Sequence, residues 1–415
     1  METRELNDYA IDIGPMGPIG EGEALILRAT RNCPWNRCLF CPTYKNSKFA
    51  YRSVPEIKRD IDTVKRIEEL VRDASWTSWS IGFGGRINRE VIQEVIYGHP
   101  EIYGRDNYSL TPENYIARRS LSNVVNWLIY GKRRVFLQDA NTLIMRAKEL
   151  TEVLKYLKET FPIIETITSY ARSKTCAQRS LKELEELKEA GLSWLFVGIE
   201  SGCDEVLKFM QKGVTGEEHI EGGQKVIQAG INLAAFVMPG LAGKDEELAE
   251  KHISETIKVL NEIKPTEVRI RSLAILESSP LYGRWESGEF EAPTEEQMIE
   301  EIQLLLENLN FDCIIETFQM TNVLFNIRGR LSARKEELLT KISQYKAMLP
   351  MERLKFRLNK YLHGGYLDFV EEWGKFDFQL SQLIQEAIAS LEKGSPDAET
   401  KTEQAIFAIK SKGVP

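Results

Sequence analysis

Residues 29–45 read ATRNCPWNRCLFCPTYK, and they place three thiols, Cys33, Cys38 and Cys41, within nine positions. The run follows the apolar stretch Ala24-Leu25-Ile26-Leu27 and holds half of the six cysteines in the chain. Thiolates are soft, anionic ligands that suit iron–sulfur centres. Three of them on one short loop are what a [4Fe–4S] cluster needs if one iron is to stay open to a further ligand. Pro34, Trp35, Leu39 and Phe40 supply apolar cover for such a cluster. Two plainer readings compete. The thiols could be buried packing groups without metal, or they could hold zinc. Zinc, however, wants four ligands, usually as two CxxC-like pairs. Here one such pair stands beside Cys33, and His99, His219, His252 and His363 all lie far off in sequence.

Working outward, 415 residues make one large domain or two. A hydrophobic fraction of 42% is enough for a sizeable core. The net charge of −8 argues against a protein that tracks phosphates, so nucleic acid is not the expected partner, although Arg118-Arg119 and Lys132-Arg133-Arg134 are locally basic. The opening METRELNDYAIDIG lacks a charged-then-apolar signal pattern, and no apolar run approaches a membrane span. No membrane partner is expected, and clustered cysteines without a secretory signal point to a reducing cytoplasm.

Short β-rich runs alternate with amphipathic helical patterns. The strands are expected at 24–29, 134–138, 163–168, 193–198, 232–237 and 267–272. Helices are expected at 56–73, 144–160, 178–190, 217–229, 245–263 and 294–309. Such alternation predicts an α/β fold with a parallel sheet, and the six units fit a partial (β/α)6 barrel. The expected division is a lead at 1–19, a core at 20–310 and a mostly helical C-terminal extension at 311–415. Residues 75–131 interrupt the core and are too long for a simple connection.

The cysteine run, with Phe40 just before the third thiol, resembles that of radical S-adenosylmethionine (SAM) enzymes. The spacing here is CxxxxCxxC, one residue longer than their usual CxxxCxxC. The resemblance implies a [4Fe–4S] cluster on Cys33, Cys38 and Cys41, with SAM chelating the fourth iron through its amino and carboxylate groups. It also implies a partial TIM-type barrel and Phe40 packed beside the adenine.

Ligands of βα barrels bind where the strands end, so the residues there are the next to weigh. Asp139 and Asn141 follow the second expected strand and could accept hydrogen bonds from an ammonium group, or cap the next helix. The family's Gly-Gly-Glu motif, which contacts the SAM amino group, is absent as such, so these two carry over by position only. Arg172 follows the third strand and could bind a carboxylate with two parallel bonds, or be a surface arginine. The resemblance pairs it with the SAM carboxylate.

Gly198-Ile199-Glu200-Ser201-Gly202 closely resembles the GIESG segment of the branch containing coproporphyrinogen dehydrogenase, methylthiotransferases and Elongator-type enzymes. There the glutamate or serine contacts the SAM ribose or amino group. Gly240 loosely resembles a glycine turn that lets backbone approach the adenine. Arg269 or Arg271 could face the same pocket from the sixth strand.

The resemblance implies an enzyme that cleaves SAM reductively to a 5′-deoxyadenosyl radical, which takes hydrogen from a small or medium organic substrate. The electron donor would be a flavodoxin or ferredoxin. The rival is a non-catalytic iron–sulfur and SAM-binding relative in metal or haem trafficking. Missing accessories argue against some chemistries. No cobalamin domain precedes the core, Cys176, Cys203 and Cys313 stand alone, and no basic β-barrel follows. Finally, Trp76, Trp79, Phe83, Tyr108, Tyr115, Trp127 and Tyr130 make 75–131 aromatic-rich. They are expected either to line a substrate pocket closed by this segment and the region after 310, or to form a small core of their own.

Overall fold

A computed structural model describes residues 6–14, 22–77, 84–105, 110–131, 133–324 and 326–413. Alternating apolar positions in the strands and three-to-four spacing in the helices produce an α/β architecture. The strands in chain order are β1 (Leu25–Arg28), β2 (Thr30–Arg31), β3 (Ala50–Tyr51), β4 (Arg134–Gln138) and β5 (Thr166–Ala171). They continue with β6 (Leu192–Glu200), β7 (Asn232–Val237), β8 (Glu267–Ile270), β9 (Ile314–Glu316) and β10 (Arg328–Arg330). Eight form one sheet in the order β1-β4-β5-β6-β7-β8-β9-β10. Neighbours from β1 to β9 run parallel, and only β10 is antiparallel. The sheet is a partial, open barrel. β2 and β3 form a separate two-stranded ribbon.

Period-two alternation sorts the side chains. One face sends Val135, Leu137, Ile167, Leu195, Val197, Leu233 and Ala235 into the large core under the helices. The other fills the barrel interior with Phe136, Tyr170, Phe196 and Phe236. Phe136 meets Tyr170 edge-on at 5.1 Å, and Tyr170 meets Phe196 at 6.0 Å. These rings close the barrel floor, so the space for a ligand lies above them, at the C-terminal ends of the strands.

The helices start where capping chemistry allows. Ser180 and Glu183 form a reciprocal capping box at the head of Leu181–Glu189, as do Thr215 and Glu218 at Gly216–Gln228. The first of these boxes starts the expected 178–190 helix at Leu181, while Gln178 belongs to a separate short helix, Ser173–Gln178, capped by Arg179. The third strand of the alternation lies three residues later than expected. Ile163 is exposed in a turn, and β5 runs on to Ala171, immediately before Arg172.

The region 75–131 carries helices Arg89–Gly98, Pro100–Tyr103 and Pro112–Tyr130. The last packs outside β1. Its Asn123 accepts from Ile26 N–H at 3.0 Å and donates to Ile26 C=O at 2.9 Å. That side chain satisfies the free edge of the sheet, a polar strand edge that would otherwise pair with another chain. At the opposite edge β9 and β10 extend the sheet. Five helices then follow between Leu331 and Ser411. They dock on helix Glu295–Asn308, where Lys410 Nζ meets Glu295 at 2.6 Å and Tyr361 OH donates to the same carboxylate at 3.1 Å. Among the described residues no helix is long and apolar enough to cross a membrane.

Candidate functional site

Cys33, Cys38 and Cys41 line one cavity with residues from the ends of five strands: Ala140, Arg172, Glu200, Met238 and Arg271. The cysteine loop is shaped by asparagines. Asn32, Asn36 and Asn46 have φ of 66°, 47° and 66°, the left-handed region that asparagine tolerates. Asn36 sits between the first two thiols, where the longer spacing places its extra residue. Its N–H donates to Cys33 Sγ at 3.3 Å, and its side-chain amide donates to Tyr44 C=O. Trp35 swings outward. Its Nε1–H donates to Gln211 C=O at 2.7 Å, and its ring fills the space where a Cβ on Gly213 would sit. The guanidinium groups of Arg37 and Arg172 lie 5.1 and 4.9 Å from that ring.

Arg172 and Glu200 both reach this cavity. Arg172 donates to Lys212 C=O at 2.6 Å, and among the described residues no carboxylate pairs with it. Glu200 lies where β6 slips register against β7 between Gly198 and Glu200, and it holds φ of 65°. Its carboxylate is 3.2 Å from Lys212 Nζ. Lys212 Nζ also stands 5.5 Å from the Phe40 ring, which lines the cavity as expected. Burial pushes the Cys38 thiol up, and the positive charges of Lys212 and Arg172 oppose that shift. Behind Arg172, Ser173 Oγ is 2.6 Å from Nδ1 of the buried His219. Burial, followed by repulsion from Lys212 and Arg172, holds His219 down to about 3.

The other expected contacts sit one layer back. Asp139 is fully buried with φ of 82°, and its carboxylate accepts from three protein donors. Arg28 Nε approaches at 2.5 Å, Asn32 N–H at 2.9 Å and Tyr44 OH at 2.8 Å. It anchors the cysteine loop and does not face the cavity. Arg28 also pairs at 3.0 Å with Asp12, which belongs to the expected N-terminal lead. Asn141 is likewise buried, accepting from Arg172 N–H at 3.1 Å and donating to Thr175 Oγ1 at 2.9 Å.

Ser201 and Gly240 share a second buried network. Ser201 Oγ lies 2.7 Å from His252 Nδ1, and His252 Nε2 lies 3.6 Å from Glu301. Glu301 in turn accepts from Gly240 N–H at 2.8 Å. Burial pushes Glu301 up to about 8 and His252 down to about 4. Gly240 adopts φ of 85° against Met298 and Pro293, away from the cavity lining.

The sixth-strand arginines face the barrel at different depths. Arg269 is buried over Phe196 at 4.5 Å and pairs with Glu267 at 2.7 Å, while Arg271 lines the cavity. Among the described residues, neither 75–131 nor the region after 310 contributes to that lining. Trp127 instead packs edge-on against Phe161 at 5.3 Å, while Trp76, Tyr115 and Tyr130 are exposed. Trp79, Phe83 and Tyr108 lie outside the described residues. The segment caps an edge of the sheet, so the pocket-lining expectation for its described rings is corrected. Lys212, Arg28 and Tyr44 were not singled out from sequence. Tyr44, only three residues past Cys41, carried the one local signal.

The donor set suits an iron–sulfur cluster. All six cysteines are free, and three share one cavity with the cations Lys45, Arg172, Lys212 and Arg271. Among the described residues no three His, Cys, Asp or Glu side chains converge closely enough to hold one metal ion. A four-iron cube takes one thiolate on each of three irons and so accepts a wider set.

The model of the radical SAM superfamily matches residues 27–255. Two curated relatives are named tRNA uridine(34) acetyltransferase. The one from Methanocaldococcus infernus is 23% identical over 283 residues, 68% of this chain and 48% of the relative. The one from Methanocaldococcus jannaschii is 30% identical over 119 residues, 29% of this chain and 22% of the relative. The chain therefore spans about half the length of the first. Among solved structures, archaeal Elp3 of Methanocaldococcus infernus has a TM-score of 0.40 at 18% identity, covering 56% of this chain and 59% of that one. Coproporphyrinogen III oxidase of Escherichia coli has a TM-score of 0.39 at 14% identity, covering 74% and 55%.

Proposed function

The chain belongs to the radical SAM superfamily, and on that premise we propose that Cys33, Cys38 and Cys41 ligate its [4Fe–4S] cluster while the cavity at the strand ends holds SAM beside an organic substrate. When bound, the cluster and SAM supply reductive cleavage to methionine and a 5′-deoxyadenosyl radical that abstracts hydrogen from the substrate. The observation that carries this reading is the shared cavity, which brings the three thiols together with Phe40, Arg172, Glu200 and Lys212.

The protein's own part is to bind, orient and shield. Arg172 presents a guanidinium to the carboxylate of SAM. Glu200 accepts hydrogen bonds from its ribose or amino group, with Lys212 setting the direction of the carboxylate. Phe40 offers an apolar face to the adenine. Asp139 and Asn141 act as positioning residues, the first through the cysteine loop and the second through the Arg172 backbone. The barrel floor of Phe136, Tyr170, Phe196 and Phe236 excludes water from below.

The test is anaerobic reconstitution followed by SAM binding and an assay for 5′-deoxyadenosine with a flavodoxin or ferredoxin as donor. Glu200→Ala should weaken SAM binding about tenfold to a hundredfold, the equivalent of a lost charged hydrogen bond, and leave iron content intact. Unchanged SAM affinity in that variant would remove Glu200 from the site. The acidic net charge favours a small or medium substrate, whereas the relatives named for tRNA keep RNA in the substrate screen. Tight, steeply salt-dependent RNA binding would decide for the latter.

A further inference from the structure

We propose that the substrate carries an anionic oxygen group, a carboxylate or a phosphate, and that Arg271 receives it. This rests on the reading that the cysteine side of the cavity holds the cluster and SAM. Four cations line the cavity: Lys45, Arg172, Lys212 and Arg271. Three are committed. Lys45 Nζ donates to Asn36 C=O at 2.8 Å, Lys212 pairs with Glu200, and Arg172 is tied to Lys212 C=O and stacked on Trp35. The guanidinium of Arg271 has no hydrogen-bond or ion-pair partner among the described residues, whereas its backbone is fixed by a 3.0 Å bond from its N–H to Val237 C=O.

The contrast with Arg269, two residues earlier on the same face, is informative. That arginine is buried and provided with Glu267 at 2.7 Å and Glu316 at 3.7 Å. A charge at the bottom of the barrel is neutralised by the protein itself. The charge at cavity level is half-buried beside Leu273, Ala274 and Leu276 and has no internal counter-ion. A partly desolvated guanidinium against an apolar wall favours an arriving anion, and its planar fork suits two oxygens at once. SAM has one carboxylate, for which Arg172 stands ready, so Arg271 is left for the second ligand.

The experiment uses the reconstituted, SAM-loaded protein, wild type against Arg271→Ala and Arg271→Lys, titrated calorimetrically with inorganic phosphate, pyrophosphate and succinate. The wild type should bind at least one probe, and the preferred probe identifies the anion class. Arg271→Ala should bind it at least tenfold more weakly, with Arg271→Lys in between, while iron content and SAM affinity match the wild type. Absence of binding by the wild type, equal binding by Arg271→Ala, or loss of SAM affinity in that variant would overturn the proposal. Failure of the wild type to take up iron or SAM would refute the cluster reading instead, and the same anion titration on the iron-free chain would still decide the role of Arg271.

Discussion

The two walls of the cavity are built differently. On the cysteine side, the polar groups are interlocked. Asp139 gathers Arg28, Asn32 and Tyr44, Asn36 turns the loop between the first two thiols, and Trp35 braces it against the 211–213 turn that carries Lys212. On the β7–β8 side, Met238, Leu273, Ala274 and Leu276 present apolar surface around a single uncommitted arginine. Preorganisation costs buried polar groups and their partners, and it suits a ligand whose geometry never changes. An apolar wall with one charge fixes less, and it suits a group that enters and leaves at each turnover. On the proposed reading, the difference marks where cofactor ends and substrate begins.

That comparison can be broken from the cysteine side first. Cys38→Ala should abolish cluster binding, taking iron from about four per chain to near none and removing the paramagnetic signal of the reduced protein. Full loading in that variant would end the assignment. Asp139→Ala should follow. It leaves an amide and a phenol buried without their acceptor and Arg28 with Asp12 as its remaining carboxylate among the described residues, so it should cost about 1–3 kcal/mol. Denaturant unfolding measures it, and a cost under about 1 kcal/mol would show that the loop is held by other means.

A pH experiment sharpens the same wall. His219 titrates at about 3 in the folded chain against 6.5 when free, because it is buried behind Arg172. Its folded value is depressed, so the unfolded chain takes up the proton first. The associated stability is present above pH 6.5 and is lost as pH falls toward 3. One such proton contributes a slope of at most about 1.4 kcal/mol per pH unit. His219→Gln should flatten the fall in stability between those limits. His252, depressed to about 4, would leave a residual slope of the same sign.

On the opposite wall the effect should be smallest. Met238→Leu conserves volume and keeps the backbone bond from residue 238 to Glu200 C=O, so it should cost less than about 1.5 kcal/mol and leave iron content unchanged. A larger loss would mean that this wall is as tightly specified as the other.

Much of the fold could be read from local pattern, because strand alternation and helix periodicity are written over five to twenty residues. β4 and β7 lie where they were expected, while β5 lies three residues later because an apolar Pro-Ile-Ile run proved to be a turn. β9 and β10 carry only three residues each, too short for periodicity to reveal.

The candidate site divides along the same line. The cysteine spacing, Phe40, Arg172 and Glu200 were legible because each lies within a short motif or directly at a strand end, and all of them reach the cavity. Asp139, Asn141, Ser201 and Gly240 also follow strand ends, yet they turn away from it. At Asp139, as at Glu200, the chain enters the left-handed region, where period-two alternation no longer tells which way a side chain points. Arg28 meets Asp139 across 111 residues, and Lys212 reaches Glu200 from a turn after the next helix. The sequence alone determined the cysteine loop and the βα order, since both depend on neighbours along the chain. Only tertiary structure decided which charges are spent inside the protein and which, like Arg271, are left to face the cavity, because pairing across the barrel depends on distances that no local spacing encodes.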